Sequence, residues 1–91
     1  MQITVLDIPD HIADHIVRHG VVPDEVEEVF FEDVPYFCHA REGRYYAYGQ
    51  TGAGRYLVVI FEMVGNQRAQ AVSAWDMKQS ERRMYLKKRK R

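Results

Sequence analysis

The feature that most constrains this chain is a change of hydrophobic period at Pro35. Beyond it the residues alternate apolar and polar in four runs, PYFCHAR, RYYAYGQ, RYLVVIFEMV and RAQAVSAW. Glu42-Gly43, Gly52-Ala53-Gly54 and Gly65-Asn66 punctuate them. Alternation sends successive side chains to opposite faces of a pleated strand, and short Gly-bearing breaks turn the chain back on itself. The pattern predicts four strands in a meander. With 91 residues, a chain of this size buries only about 60–70% of the surface its unfolded form exposes, so one compact domain over residues 1–91 is expected.

Before Pro35 the period is helical. QITVL, residues 2–6, has strand composition, and Asp7 to Asp10 with Pro9 interrupt it and open a helix. Ile8, Ile12 and Ile16 recur at four-residue spacing, Val17 widens the stripe, and Gly20 supplies a permissive terminus. Ile12 and Ile16 should face the core. A second helix starts at Pro23, with Asp24 and Glu25 in the turn where the helix dipole favours acids. Val22, Val26, Val29 and Phe30 form its inner face, and Glu27, Glu28, Glu32 and Asp33 are expected to face water. At the other end, Asp76 with Gln79 reads as a variant capping box, followed by an inner stripe of Met77, Met84 and Tyr85. The order β-α-α-β-β-β-β-α implies an α+β domain, two N-terminal helices and a C-terminal helix packed on a mainly antiparallel sheet. Residues 88–91 are expected to fray.

Formal neutrality conceals a split. Residues 1–33 carry nine acids and one base, Arg18, whereas residues 34–91 carry twelve bases and four acids. Such a split suits an anionic partner for the second half, or two halves that neutralise each other in the fold. Cys38 is the sole cysteine, which rules out an intrachain disulfide and a Cys-based zinc site and points to a reducing compartment. No signal-peptide pattern opens the chain, and the apolar stretch Tyr56 to Phe61 is far too short to cross a bilayer. A cytoplasmic protein without a membrane partner is expected.

Three residue groups could carry chemistry. His11, His15 and His19 are spaced like metal ligands, but they drift around the helix and no third ligand type or HExxH pattern accompanies them. No metal or other cofactor is expected, and His19 reads as a partly buried side chain bonding a backbone group near the helix end. Tyr36, Tyr45, Tyr46, Tyr48 and Tyr56 populate the sheet, where aromatic rings either stack unpaired bases or pack across strands. Arg41, Arg44, Arg55 and Arg68 lie at strand ends or turns, interleaved with them; guanidiniums there grip phosphate or form a solvated basic face. In the last run, ERRMY, Glu81 and Tyr85 share a helical face, with Arg82 and Arg83 to either side of it. RNA cleavage needs a base for the 2′-OH, cations for the charged phosphorane and an acid for the 5′-oxygen. Glu81 suits the first role, Arg82 or Arg83 the second, and Tyr85 or His39 the third; an Arg–Glu pair beside a core tyrosine is the competing reading.

The order of motifs resembles the BrnT family, toxins of bacterial toxin–antitoxin pairs in the wider RelE-like ribonuclease group. RHGVVPDEVEEVF, residues 18–30, looks like the family's KHGVSFEEAxEVF helix pair; GQTGAGRYLVVIF, residues 49–61, like its GxTxxGRxLxVxF strand; and VSAWDMKQSERRMY, residues 72–85, like its ISARxAxxxERRxY ending. The resemblance implies a RelE-like fold and a ribosome-independent endoribonuclease, neutralised by a small DNA-binding antitoxin. It implies catalytic positions at Arg55, Glu81, Arg82, Arg83 and Tyr85. Trp75 stands where the family has the Arg of ISAR, and Gln70 where an Arg often precedes. With those substitutions, Trp75 stacks a base in place of the lost cation, or the chain is a catalytically silent module that binds nucleic acid or a small protein. Arg44, Tyr46, Tyr48, His39 and Lys87 complete the expected RNA-binding set around Trp75, and a homo-oligomer is left open.

Overall fold

The computed structural model describes residues 1–89. Its elements are β1 (Val5–Asp7), α1 (Asp10–Val17), α2 (Pro23–Phe31), β2 (Tyr36–His39), β3 (Tyr45–Gln50), β4 (Tyr56–Gly65), β5 (Arg68–Asp76) and α3 (Gln79–Arg89). One five-stranded sheet has the order β1-β5-β4-β3-β2. The meander is antiparallel throughout, and β1 alone joins in parallel, pairing Val5, Leu6 and Asp7 with Arg68, Ala69 and Gln70 of β5. The β1 strand is thus shorter than QITVL and shifted toward Asp7. The rest of β5, from Ala71 onward, has no strand on its outer side.

Because the two faces are both covered, β4 is apolar on both: Leu57, Val58, Val59 and Phe61 are all fully buried. The first face carries α1 and α2. Ile16, Val21, Val26, Val29 and Phe30 close there over Ala47, Leu57, Val59, Phe61, Ala69, Ala71 and Ala74. A hydrocarbon interior of this kind is the main stabilising term in a small domain. The second face carries α3, whose Tyr85 and half-buried Met84 and Leu86 pack with Tyr36, Cys38, Tyr46, Tyr48, Tyr56, Val58, Trp75 and Met77.

Two glycines set the first face. Gly20 (φ +77°) ends α1 with a pair of crossed bonds, Val21 N–H to the Ile16 carbonyl (3.1 Å) and Gly20 N–H to Val17 (2.9 Å), a Schellman closure that L-residues resist. At Gly49 a Cβ would lie 2.7 Å from Val29 Cγ1, so α2 approaches β3 closely because that strand has no side chain there.

Several expectations are corrected. Val22 is the N-cap of α2 and is 46% exposed, so the inner face begins at Val26. Glu28 accepts from Gly52 N–H (2.8 Å) and Asp33 from Gln50 N–H (2.9 Å); neither carboxylate is simply solvated, because the β3–β4 turn needs acceptors for its amides. The α3 helix starts after Lys78, not at Asp76, and Glu81 Oε1 accepts from the Lys78 N–H at 2.8 Å, the reaching-back half of a capping box. Asp76 instead ends β5. Lys88 and Arg89 are helical, and the remainder of the tail expected to fray, residues 90–91, lies outside the described residues.

Candidate functional site

On α3 the residues Gln79, Arg82, Arg83 and Leu86 are spaced i, i+3, i+4 and i+7 and form one stripe. With Met77 they line an open hollow of about 420 Å³. Arg82 and Arg83 therefore share one stripe and do not flank the Glu81–Tyr85 face. Tyr56, paired across the sheet with Gln50, rises under the helix and holds the Arg82 guanidinium carbon 4.1 Å from its ring centre. Stacking of this kind orients a guanidinium while leaving its edge N–H groups free to donate. Farther along, Lys88 Nζ sits 5.7 Å from the Tyr36 ring and the Arg89 guanidinium 5.9 Å from the Tyr85 ring. Lys87 is exposed. Among the described residues, no carboxylate lies within ion-pair distance of Arg82, Arg83 or Lys87.

Glu81 directly precedes Arg82 in the first turn of α3, half-buried, and is not among the residues that line the hollow. Its charge is felt by Tyr48, whose phenol is pushed well above its ordinary value, first by burial and then by Cys38, Glu81 and Tyr46. One Glu81 oxygen is held in the cap; the other accepts no hydrogen bond among the described residues. Tyr85 is buried, with 1% of its surface exposed, and its hydroxyl donates to Asp33 Oδ2 at 2.8 Å. Burial, and then the Asp33 carboxylate as acceptor and as charge, raise its pKa to about 12. The expected convergence of Glu81, two arginines and the Tyr85 phenol is corrected accordingly: the phenol points into the protein, away from the hollow.

Arg55 is placed elsewhere as well. Its guanidinium donates to the Gly20 carbonyl (2.7 Å), to both oxygens of Glu25 (2.9 and 3.1 Å) and to both oxygens of Asp76 (3.0 and 3.2 Å). Burial disfavours the Arg55 charge, and its bonds to Asp76 and Glu25 more than offset this, raising its pKa. All three nitrogens are engaged, with Nε also on Asp76 (3.2 Å), so this arginine ties the β3–β4 turn to the α1–α2 junction and to the end of β5. Arg68 is likewise paired, with Asp7 at 2.9 Å. The acidic and basic halves of the sequence thus neutralise each other in part through Arg55–Glu25 and Arg68–Asp7, and among the described residues most of the cations without an ion pair lie on α3.

The remaining positions expected to bind RNA divide between the faces. Tyr46, Tyr48 and Trp75 lie on the α3 face, where Tyr46 meets Trp75 edge-on at 6.5 Å and Tyr48 at 5.9 Å, and Tyr48 meets Tyr36 at 6.2 Å. Arg44 Nε is 3.4 Å from Glu62, on the strand row next to Tyr46. His39 meets Tyr45 at a tilt, 5.1 Å between ring centres, and Tyr45 stacks on Phe61 of the first core at 5.6 Å, which places His39 away from Glu81. His19 lies beyond the end of α1, exposed, with its ring against His15 at 5.0 Å. Its expected burial fails because the helix stops at Val17. His15 Nε2 is 3.1 Å from Ser73 Oγ. No group of three His, Cys, Asp or Glu among the described residues is placed to hold a metal ion. The Cys38 thiol is pushed up by burial, with Tyr48 opposing, so it is a poor nucleophile. No described helix is long and apolar enough to cross a membrane.

Sequence reasoning missed Asp33 and Met77 as parts of this arrangement. Nothing local marks Asp33, because its partner Tyr85 is 52 residues away.

No protein-family model and no curated protein matches the sequence. Among solved structures, the crystal structure of the Brucella abortus ribonuclease toxin BrnT is similar, with a TM-score of 0.66 at 19% identity, covering 84% of this chain and all of that one. The chain therefore shares the fold of that structure.

Proposed function

We propose that the chain is an endoribonuclease toxin of a toxin–antitoxin pair, acting on RNA in the cytoplasm at the first turns of α3 and held in check by a small DNA-binding antitoxin protein. The observation that carries this reading is the pair Arg82 and Arg83, without ion-pair partners among the described residues and lining one hollow, on a fold shared with a ribonuclease toxin. Phosphoryl-group chemistry depends heavily on cations placed where charge develops. Arg82, oriented by Tyr56, and Arg83 clamp the scissile phosphate. The uncommitted oxygen of Glu81 takes the 2′-OH proton, the 2′-oxygen attacks phosphorus, and the 5′-oxygen leaves with a proton from water. Arg55 and Tyr85 serve this site by positioning: Arg55 fixes the turn before β4, and Tyr85 anchors α3 to Asp33.

The test separates chemistry from folding. Glu81→Gln retains the cap, since Gln serves at that helix position as Glu does. A general base contributes about 10²–10⁴-fold, and cleavage of a labelled RNA should fall by that factor with the thermal midpoint unchanged. Full cleavage by the variant removes Glu81 from the mechanism.

A second reading is favoured by the engagement of Arg55 and the burial of Tyr85: a module that binds RNA or a small protein without turnover. It takes precedence if the wild-type protein binds RNA through α3 and leaves it intact on prolonged incubation.

A further inference from the structure

Beside the cationic hollow, the α3 face continues into a strip of sheet that the helix does not cover fully. Trp75 stands there on β5, opposite Val58 of β4, in the stretch where β5 has no outer neighbour. It is half-buried, so one ring surface packs inward, with Tyr46 edge-on to it, and the remainder meets solvent. Met77, two residues on, belongs both to the apolar cluster around Trp75 and to the lining of the Arg82–Arg83 hollow. An aromatic platform and a cationic hollow with room for a phosphate are therefore contiguous, with a flexible thioether between them.

We infer that Trp75 forms a stacking subsite for one unpaired nucleobase of the strand whose phosphate occupies the Arg82–Arg83 hollow, and that the ligand is single-stranded RNA rather than duplex. The inference rests on the RNA reading above and adds a substrate form to it. Bases within a duplex are already stacked and cannot lie on a side chain, whereas an unpaired base offers a π face whatever its identity. Trp75 is held against rotation by Tyr46 and Val58, so little freedom is lost when a base settles on it. Its place at a sheet edge lets the strand enter and leave without crossing α3.

The chain has a single tryptophan, which makes the subsite directly observable. Titration with a short 2′-O-methylated oligoadenylate, which resists cleavage, should quench the Trp75 emission in step with binding measured by anisotropy. An abasic oligomer of equal length and the same sequence in a duplex should bind more weakly and leave the emission unchanged. Trp75→Leu preserves apolar packing and should weaken oligoadenylate binding about 5- to 100-fold, while leaving affinity for the abasic strand as it was. Binding without quenching, or equal weakening for base-bearing and abasic strands in Trp75→Leu, overturns the stacking subsite and leaves the RNA reading standing. Failure of every strand to bind overturns both.

Discussion

The two faces of the sheet are built from different materials. Under α1 and α2, aliphatic residues and phenylalanines close a dry layer whose acidic rim is spent on holding turns and neutralising Arg55 and Arg68. Under α3, tyrosines, Trp75 and methionines form a layer with polar edges, and the cations above it stack on rings instead of pairing with acids. The first arrangement maximises burial; the second keeps charge available to an outside ligand. On the proposed reading, stability and binding are carried on opposite sides of one sheet.

If this division is sound, substitutions should sort by face. The largest effect belongs to Phe61→Ala, which empties a fully buried site against Phe30, Phe37 and Tyr45 and should cost about 3–5 kcal/mol in urea unfolding; a loss below about 1 kcal/mol would mean the first face is loosely packed. Gly49→Ala should cost about 1–3 kcal/mol by the same assay, because Val29 must move from the added methyl.

Tyr85→Phe comes next, at about 1–2 kcal/mol, since it removes one donor from Asp33. Its pH dependence sharpens the point. Burial pushes the Asp33 carboxyl up, but bonds from Gln50 and Tyr85, with Val34 and Arg89 nearby, hold it below its ordinary value. Stability from Asp33 is therefore fully present above its unfolded pKa of about 4 and fades as pH falls through the lower folded value. Tyr85 behaves in the opposite sense. Its folded pKa of about 12 exceeds the unfolded value of about 10, so its contribution is complete below pH 10 and is lost as pH rises through 12. In Tyr85→Phe the alkaline loss should shrink to the part due to Tyr48, as followed by circular dichroism across that range.

The smallest stability effect belongs to the second face. Arg82→Ala with Arg83→Ala should alter unfolding by no more than about 1 kcal/mol, the worth of an exposed cation–π interaction. The same pair should reduce the salt dependence of single-strand binding by about 0.7 in log–log slope for each phosphate that is no longer neutralised. A large loss of stability with unchanged RNA affinity would invert the division between faces.

The meander was legible because alternation and Gly-bearing turns are local signals, and the strands match the four runs within two residues. Both N-terminal helices were legible from four-residue spacing and the acids of the second helix. What escaped was long-range. Asp33 at the end of an acidic helix looks solvated until Tyr85 arrives from the last helix, and Arg55 in a family-like motif looks like a phosphate ligand until Glu25 and Asp76 close on it. Helical spacing placed Arg82 and Arg83 on α3 but not their common hollow, because that hollow forms only where Met77 and Tyr56 of the sheet side meet the helix. The substitution Trp75 was visible as a departure from a pattern; its contiguity with the hollow through Met77 was not.

The central claim is that RNA meets the α3 face and not the α1–α2 face. The most direct measurement is titration of the isotope-labelled protein with an uncleavable single-stranded RNA, followed by backbone amide shifts. The account expects the largest shifts at Met77 to Leu86 and at Tyr46 and Trp75, with Val26, Val29 and Ile16 unmoved. Shifts concentrated on α1 and α2, with α3 silent, would contradict it.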